Sequence, residues 1–333
     1  MPEPTSPHKT EPATATATKT LAPARPIHAL WFALGLTAMA ANKVRHLLWP
    51  YHRPRPFSPD DFTAAAEYDL RVFENWKAHL HESLGRPYDW TGKTVLELGP
   101  GPDLGTGVLA LAAGASRYAA FDRFPLARTR SLAFYDHLLK RLPARLGIDV
   151  PKVARLRQQV VGAMTGCPSP LTYVHRKDFD LSAAGLFADK FADKLAKQPA
   201  DLIISQAAFE HFDDPAATIA QLGRLAAPGA TFLAVVDLQT HTPLLRDRDP
   251  LNIYRFSPRL YRLLSFAGCP NRARPWDYVQ WLEQGGWKNV QVRPLSLLDR
   301  EYLRAVTPHL AEPFRREEAY MELLGMVLVA TRP

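Results

Sequence analysis

The stretch TVLELGPGPDLG, residues 94–105, decides the fold. An apolar run ends at Glu97, and glycines follow at positions 99, 101 and 105. A glycine-rich turn directly after a strand lets the backbone approach a ligand closely. We therefore expect a strand, a ligand-binding turn and a helix in this stretch. The glycines leave open whether the ligand carries a phosphate.

Strand-like apolar runs alternate with helical patterns through most of the chain, which predicts a doubly wound parallel α/β sheet. The surplus residues at about 142–170 and 239–275 indicate insertions between these elements. The last two runs, NVQVRPL and LLGMVLVATRP, have no helical pattern between them that is long enough for a crossover. They are expected to form an antiparallel pair at one edge, which gives seven predicted strands in total.

The chain of 333 residues divides into three predicted regions. Residues 1–26 are rich in Pro, Thr and Ala, and we expect a disordered tail there. Residues 27–56 join an uncharged apolar run to a basic flank. That pattern fits a membrane-surface helix, in contact through Ile27 to Trp49, or a helix packed on the domain. Residues 57–333 are expected to form the main domain.

The charge and the cysteines restrict the partners and the compartment. The formal net charge is +8, but the basic residues are spread along the chain. We therefore treat this charge mainly as a solubility property and expect no nucleic-acid partner. Two cysteines, Cys167 and Cys269, exclude a disulfide framework and suit a reducing compartment. The cytoplasm is the expected location, with the membrane surface as the alternative, and the oligomeric state is not predicted.

Glu97 indicates what kind of ligand the glycine turn approaches. Ligands of open parallel sheets bind at the carboxyl ends of the strands, where this carboxylate stands. It would repel a pyrophosphate but would attract an ammonium group. The third glycine also falls one place later than in the dinucleotide fingerprint. S-adenosylmethionine, which carries an ammonium group and no phosphate, fits this pattern better than a nicotinamide dinucleotide.

The segment from Thr91 to Pro333 resembles the class I methyltransferases that use S-adenosylmethionine, in particular the branch acting on small molecules. The resemblance is carried by VLELGPG, by FD at the end of the second strand, by SQAAFEHFDDP and by LAAPGATFLAVVDL. It implies a Rossmann-like sheet and direct in-line methyl transfer. The implied acceptor is a small molecule or natural product.

The resemblance assigns the methionine part of the cofactor to residues at two strand ends. Glu97 and the backbone of Gly99 and Gly101 would hold the amino-acid head. Ser205 and Gln206, at the end of the fourth predicted strand, would line the methionyl side below the sulfonium.

The nucleoside part is assigned to two further strand ends. Asp122 would accept hydrogen bonds from the ribose hydroxyls, and Arg123 would lie beside the adenine. Asp178 and Phe179 would hold the adenine amino edge, with Asp180 as the alternative to Asp178 at this strand end. Asp103 stands where this family usually has its third glycine, so the local register of the turn is open.

His211, in the segment FEHFDD, is the candidate catalytic base, because an unperturbed histidine titrates near neutral pH. The alternative is that Glu210 and His211 only order the start of the next helix. Some related O-methyltransferases bind a divalent metal through Glu-x-x-Glu-His. Ala207 replaces the first of those glutamates, so this motif predicts no metal. Candidate acceptor-binding residues in or beside the second insertion are His241, Tyr254, Arg272, Arg274 and Trp276.

Four other functions are compatible with the sequence. A membrane-associated enzyme would methylate a lipid or isoprenoid, and a non-catalytic protein would only bind the cofactor. A nicotinamide oxidoreductase would use a similar fold. A nucleic-acid methyltransferase is disfavoured, because SQAAF stands where Asn-Pro-Pro-aromatic would be expected.

Overall fold

Eight strands in the described part of the chain form one mixed sheet. The computed structural model describes residues 18–25, 27–48, 58, 60–177, 179, 181 and 199–333. The order across the sheet is β1-β7-β8-β6-β5-β2-β3-β4. The strands are β1 (Lys19–Leu21), β2 (Thr94–Leu98), β3 (Arg117–Asp122), β4 (Leu171–His175), β5 (Ala200–Gln206), β6 (Ala226–Asp237), β7 (Lys288–Leu298) and β8 (Leu323–Thr331).

The pairing confirms the predicted α/β sheet and its antiparallel end. Strands β2 to β6 pair in parallel, while β8 runs antiparallel to both β6 and β7. The predicted number of strands is one too low, because Lys19–Leu21 pairs in parallel with β7. The expectation of disorder through residue 26 is therefore wrong for this strand. An exposed sheet edge offers unpaired backbone groups, which a short segment of any composition can join.

Helices cover both faces of the sheet. On one face Val95 packs in a cluster with Phe73, and on the other Leu96 packs with Leu222, as the alternation of side chains along a strand requires. The helices in the described residues are α1 (His28–Leu48), α2 (Phe62–Leu84), α3 (Gly105–Ala112), α4 (Leu132–Leu139), α5 (Leu142–Leu146), α6 (Val150–Thr165), α7 (Pro215–Leu225), α8 (Pro243–Arg246), α9 (Pro258–Leu264), α10 (Pro275–Gln284) and α11 (Arg300–Val306).

Helix α1 packs against the second insertion. The ring of Phe32 lies 5.1 Å from that of Phe256, and the ring of His46 stacks on Phe266 at 4.0 Å. None of the helices in the described ranges combines the length and apolar character needed to cross a membrane. Contact with a membrane surface stays a prediction, and Trp49 lies outside the described residues.

Candidate functional site

A cavity of about 960 Å³ lies at the carboxyl ends of the parallel strands. Its wall includes Gly99 and Gly101 after β2, Asp122 at the end of β3, Ala207 after β5 and Asp237 at the end of β6. Small-molecule sites typically measure about 300–1,000 Å³, so this volume stands near the upper limit. Four strand ends thus share one chamber with room for more than one small ligand.

The glycine turn forms part of the cavity wall with its backbone. Gly99 and Gly101 have φ angles of 71° and 76°, a region that costs little only for glycine. A Cβ on Gly99 would lie 2.5 Å from the Cβ of Ala208. The Asp103 carboxylate accepts a hydrogen bond from the Gly105 N–H at 3.0 Å and is 1% exposed. Asp103 therefore belongs to the turn itself, which answers the question of register.

Asp122 is a buried carboxylate that the backbone holds at the cavity wall. It accepts hydrogen bonds from the N–H groups of Gly101, at 3.3 Å, and Phe124, at 3.1 Å. Burial raises the pKa of the Asp122 carboxyl to about 6, although these backbone donors favour its charged form. Arg123 also lines the cavity, and its guanidinium donates to the Asp213 carboxylate at 2.5 Å.

Aromatic rings stand beside Asp122 on the cavity wall. Phe124, Phe179 and Phe212 all line the chamber, and the Phe179 ring lies 4.4 Å from that of Phe212. Phe179 has a φ of 50°. Flat apolar walls of this kind can hold a planar ring. Asp178 lies outside the described residues, so its predicted contact with the adenine stays a prediction.

Glu97 lies at the predicted strand end but faces the protein interior. Its carboxylate, 2% exposed, accepts hydrogen bonds from the hydroxyls of Tyr118 at 2.5 Å and Thr106 at 3.2 Å. Glu97 is not among the residues that line the cavity. Its effect on the site therefore passes through the β2 turn, and its predicted contact with the methionine head stays a prediction.

Ser205 and Gln206 also brace the strand ends, and neither is among the residues that line the cavity. The Ser205 hydroxyl donates to the Leu98 carbonyl at 3.0 Å. The Gln206 side-chain oxygen accepts a hydrogen bond from the Trp76 indole at 3.1 Å. Both side chains tie β5 to its neighbours, which differs from the predicted lining role.

Two predicted acceptor-binding residues, Tyr254 and Arg274, are structural. The buried Tyr254 hydroxyl donates to the Leu238 carbonyl at 2.8 Å. Arg274, 3% exposed, donates to the carbonyls of Tyr320 and Leu323. The guanidinium joins the second insertion to the start of β8, so these two side chains are unavailable to an acceptor.

The other three candidates are divided. His241 lines the cavity. Arg272 stacks on the Tyr261 ring, 3.9 Å from its centroid, outside the main chamber. Trp276 is 52% exposed on α10 and does not line the chamber. Only His241 is placed where the acceptor prediction needs it.

His211 lines the cavity, but its surroundings disfavour protonation. Burial, together with the neighbouring His241, lowers the pKa of His211 to about 4. Its Nδ1 lies 2.7 Å from the Gly268 carbonyl oxygen, which can only accept a hydrogen bond. Nδ1 therefore carries the hydrogen, and Nε2 carries the lone pair. A general base is most effective with a pKa near the working pH, so this value weakens the predicted role of His211 as a base.

Glu210 is a buried carboxylate that the sequence analysis did not assign to the site. It is 3% exposed, and neither oxygen has a hydrogen-bond partner of good geometry in the described residues. Ligand atoms of Glu210, His211 and His241 lie within 4.8 Å of one another. The local motif could not reveal this set, because His241 comes from the loop after β6, 30 residues farther along the chain.

Helix α1 supplies part of the cavity wall that no motif indicated. Met39, Asn42, Arg45 and His46 line the chamber together with Tyr68 of α2. Their position follows from the packing of α1 on the second insertion, which local sequence patterns do not specify.

Asp237 is a further cavity residue that the sequence analysis missed. It was detectable in principle, because it ends the apolar run of β6 as Asp122 ends that of β3.

The comparison with solved structures gives matches at low sequence identity. A chain from the complex between the Haloferax volcanii Trm112 methyltransferase activator and a methyltransferase is 20% identical, covers 83% of this chain and 97% of its own, and gives a TM-score of 0.41. An S-adenosylmethionine dependent methyltransferase from Mesorhizobium loti is 15% identical over 81% of this chain and 100% of its own, with a TM-score of 0.40. The CurJ carbon methyltransferase is 15% identical over 90% of this chain and 66% of its own, with a TM-score of 0.43. No curated protein matches the chain significantly.

The family is shown by a sequence match rather than by these structures. A family model described as a methyltransferase domain matches residues 68–292, which is more than half of the chain. The match runs from α2 into β7 and contains the glycine turn, Asp122 and the Glu210-His211 pair. It confirms the predicted resemblance to class I methyltransferases. The chain therefore belongs to the methyltransferase-domain family.

Proposed function

We propose that this protein transfers a methyl group from S-adenosylmethionine to a small-molecule acceptor in the 960 Å³ cavity. The observation that carries the proposal is the joint position of the Gly99–Gly101 turn and the Asp122 carboxylate on one wall of that cavity. A glycine turn with a carboxylate acceptor for ribose hydroxyls fits a nucleoside cofactor, and the match of residues 68–292 to a methyltransferase domain favours S-adenosylmethionine over a dinucleotide.

The residues on this wall fit the cofactor. Gly99 has no Cβ, which lets the turn after β2 pack against Ala208 while its backbone lines the cavity. Asp122 would accept hydrogen bonds from the ribose hydroxyls, and Phe179 would pack against the adenine. When bound, S-adenosylmethionine supplies an electrophilic methyl group on its sulfonium. The protein's task is then to orient the acceptor and to exclude water.

The opposite wall supports an acceptor with an apolar body and an oxygen or anionic group. Met39, Tyr68 and Phe266 supply apolar surface, while Arg45 supplies positive charge. Helix α1 would cover the acceptor and keep water away from the methyl group. In this arrangement α1 acts as a lid. Its exposed apolar residues include Val44, Leu47 and Leu48, and they support a lipid acceptor as the alternative.

Asp122→Ala is expected to weaken S-adenosylhomocysteine binding by about 10- to 100-fold. A hydrogen bond to a charged group contributes about 1.5–3 kcal/mol, and the variant removes the acceptor of the ribose hydroxyls. Isothermal titration calorimetry of full-length wild type and variant measures the change. Asp136→Ala, on an exposed ion pair with Arg157, is the matched control and should bind like wild type. Wild-type protein that does not bind S-adenosylhomocysteine would contradict the proposed function.

The affinity for S-adenosylhomocysteine is expected to fall below pH 6. Burial raises the pKa of Asp122 to about 6, so the carboxyl is ionised at pH 7.5 and becomes protonated as the pH decreases. The ionised form is the better acceptor, and affinity should therefore fall by about tenfold per pH unit below 6. Calorimetry between pH 5 and pH 8 tests this, with Asp122→Asn as the variant whose profile should be flat. Equal wild-type affinity at pH 5 and pH 7.5 would exclude this role of Asp122.

A further inference from the structure

Three potential metal ligands meet at the cavity wall. One ligand atom each from Glu210, His211 and His241 lies within 4.8 Å of the others. The two histidines line the chamber, and Glu210 is buried behind them. Glu210 and His211 follow β5, whereas His241 follows β6, so two neighbouring strand ends supply the three side chains.

Both histidines present the correct nitrogen for a ligand. Nδ1 of His211 lies 2.7 Å from the Gly268 carbonyl oxygen, and Nδ1 of His241 lies 2.9 Å from that of Gln239. Since a carbonyl only accepts, each Nδ1 carries the hydrogen and each Nε2 keeps its lone pair. Metal-binding histidines are commonly oriented by such a bond on the other ring nitrogen.

The Glu210 carboxylate is buried, and the His241 Nε2 lies 3.9 Å from its Oε1, beyond hydrogen-bond distance. Both oxygens are buried, and neither has a hydrogen bond of good geometry within the described ranges. Arg246, the adjacent cation, is already paired with Asp237 at 2.5 Å. A buried carboxylate in this position needs a proton or a cation.

We propose that Glu210, His211 and His241 bind one divalent d-block metal ion, with Zn²⁺ as the representative. Two imidazole nitrogens and one carboxylate oxygen are the donors that Zn²⁺ and similar ions use. Mg²⁺ and Ca²⁺ prefer all-oxygen ligand sets. Ligand atoms of one tetrahedral Zn²⁺ lie roughly 3.4 Å apart, so side-chain shifts of about 1 Å would close the set. This differs from the sequence-based expectation of no metal, which considered only the position of Ala207.

The ion would have its open side toward the cavity, because His211 and His241 line it. A bound metal lowers the pKa of a coordinated hydroxyl, so an acceptor oxygen there would lose its proton to solvent before methylation. This use of the metal rests on the proposed function. It would also give His211 a role other than that of a base. The binding of the ion itself does not depend on methyl transfer.

The test is metal binding by the full-length, tag-free protein after treatment with a chelator. Calorimetric titration with ZnCl₂ is expected to show one ion per chain, and Co²⁺ should give a visible absorption band. His241→Ala and Glu210→Gln should each weaken Zn²⁺ binding by about 100-fold or more. Loss of a residue that only orients a metal ligand costs about 10- to 100-fold, and loss of a ligand itself should cost at least as much. His81→Ala, at an exposed position of α2, is the matched control and should bind Zn²⁺ like wild type.

The same samples separate failure of the metal site from failure of the proposed function. S-adenosylhomocysteine binding by the metal-free wild type and by Glu210→Gln tests the cofactor site and shows that the variant is folded. Wild-type protein that binds S-adenosylhomocysteine but no Zn²⁺ would overturn only the metal site. The metal site is also overturned if Zn²⁺ affinity is unchanged in both ligand variants, or if His81→Ala reduces it equally.

Discussion

Gly99→Ala is expected to abolish detectable S-adenosylhomocysteine binding. The loss of affinity should exceed that of the Asp122 variants. Gly99 has a φ of 71°, and a Cβ would lie 2.5 Å from the Cβ of Ala208. Carbon atoms cannot approach so closely, so the turns after β2 and β5 must move apart. Both turns line the cavity, so their separation changes the wall on which the cofactor is proposed to bind.

The cost of this variant has two parts that a control separates. A left-handed backbone at alanine costs about 1–2 kcal/mol, and overpacking adds about 1–3 kcal/mol. Gly92→Ala shares the positive φ, 73°, but its Cβ would meet nothing within 4 Å. We expect Gly92→Ala to lower the free energy of unfolding only by the cost of a left-handed backbone at alanine. It should bind S-adenosylhomocysteine like wild type. Equal binding by the two variants in calorimetry would show that the Gly99 turn does not contact the cofactor.

The sequence predicted the residues whose position follows from the topology alone. Gly99, Gly101 and Asp122 stand at strand ends, and parallel pairing brings such ends to one edge of the sheet whatever the surrounding side chains are. The same logic predicted the antiparallel β7–β8 pair from the absence of a crossover helix between the two segments. These parts of the fold depend on local patterns and on connection lengths, both of which a single sequence contains.

The roles that the sequence could not assign depend on partners that are distant along the chain. Ser205 stands at the correct strand end, but its hydroxyl is bonded to the carbonyl of Leu98, on another strand. Arg274 is engaged by carbonyls almost 50 residues away, at Tyr320 and Leu323. No local pattern specifies which buried polar group will satisfy which donor, so an arginine of the insertion is equally compatible with ligand binding and with bracing.

Asp249 illustrates the same limit, because the segment DRDP around it resembles a solvated loop in sequence. In the structure Asp249 is 0% exposed and accepts two hydrogen bonds from Arg255, at 2.7 and 2.9 Å. The amide of Asn252 and the hydroxyl of Tyr302 donate to the same carboxylate. Asn252 also donates to the Trp31 carbonyl at 2.8 Å. This network fixes the second insertion, α1 and α11 to one another.

Asp249→Ala is expected to lower the free energy of unfolding by about 3–5 kcal/mol, because it leaves the Arg255 guanidinium buried without its counter-charge. Urea denaturation measures the change. Glu312→Ala is the matched control: its ion pair with Arg316 is about two-thirds exposed on both sides, so its removal should cost less than about 1 kcal/mol. Since α1 lines the cavity through residues other than the Gly99–Gly101 turn and Asp122, the folded fraction of Asp249→Ala should keep cofactor affinity. Its α1 should become more accessible to proteases. A loss below 1 kcal/mol in Asp249→Ala would show that the network does not hold the lid to the domain.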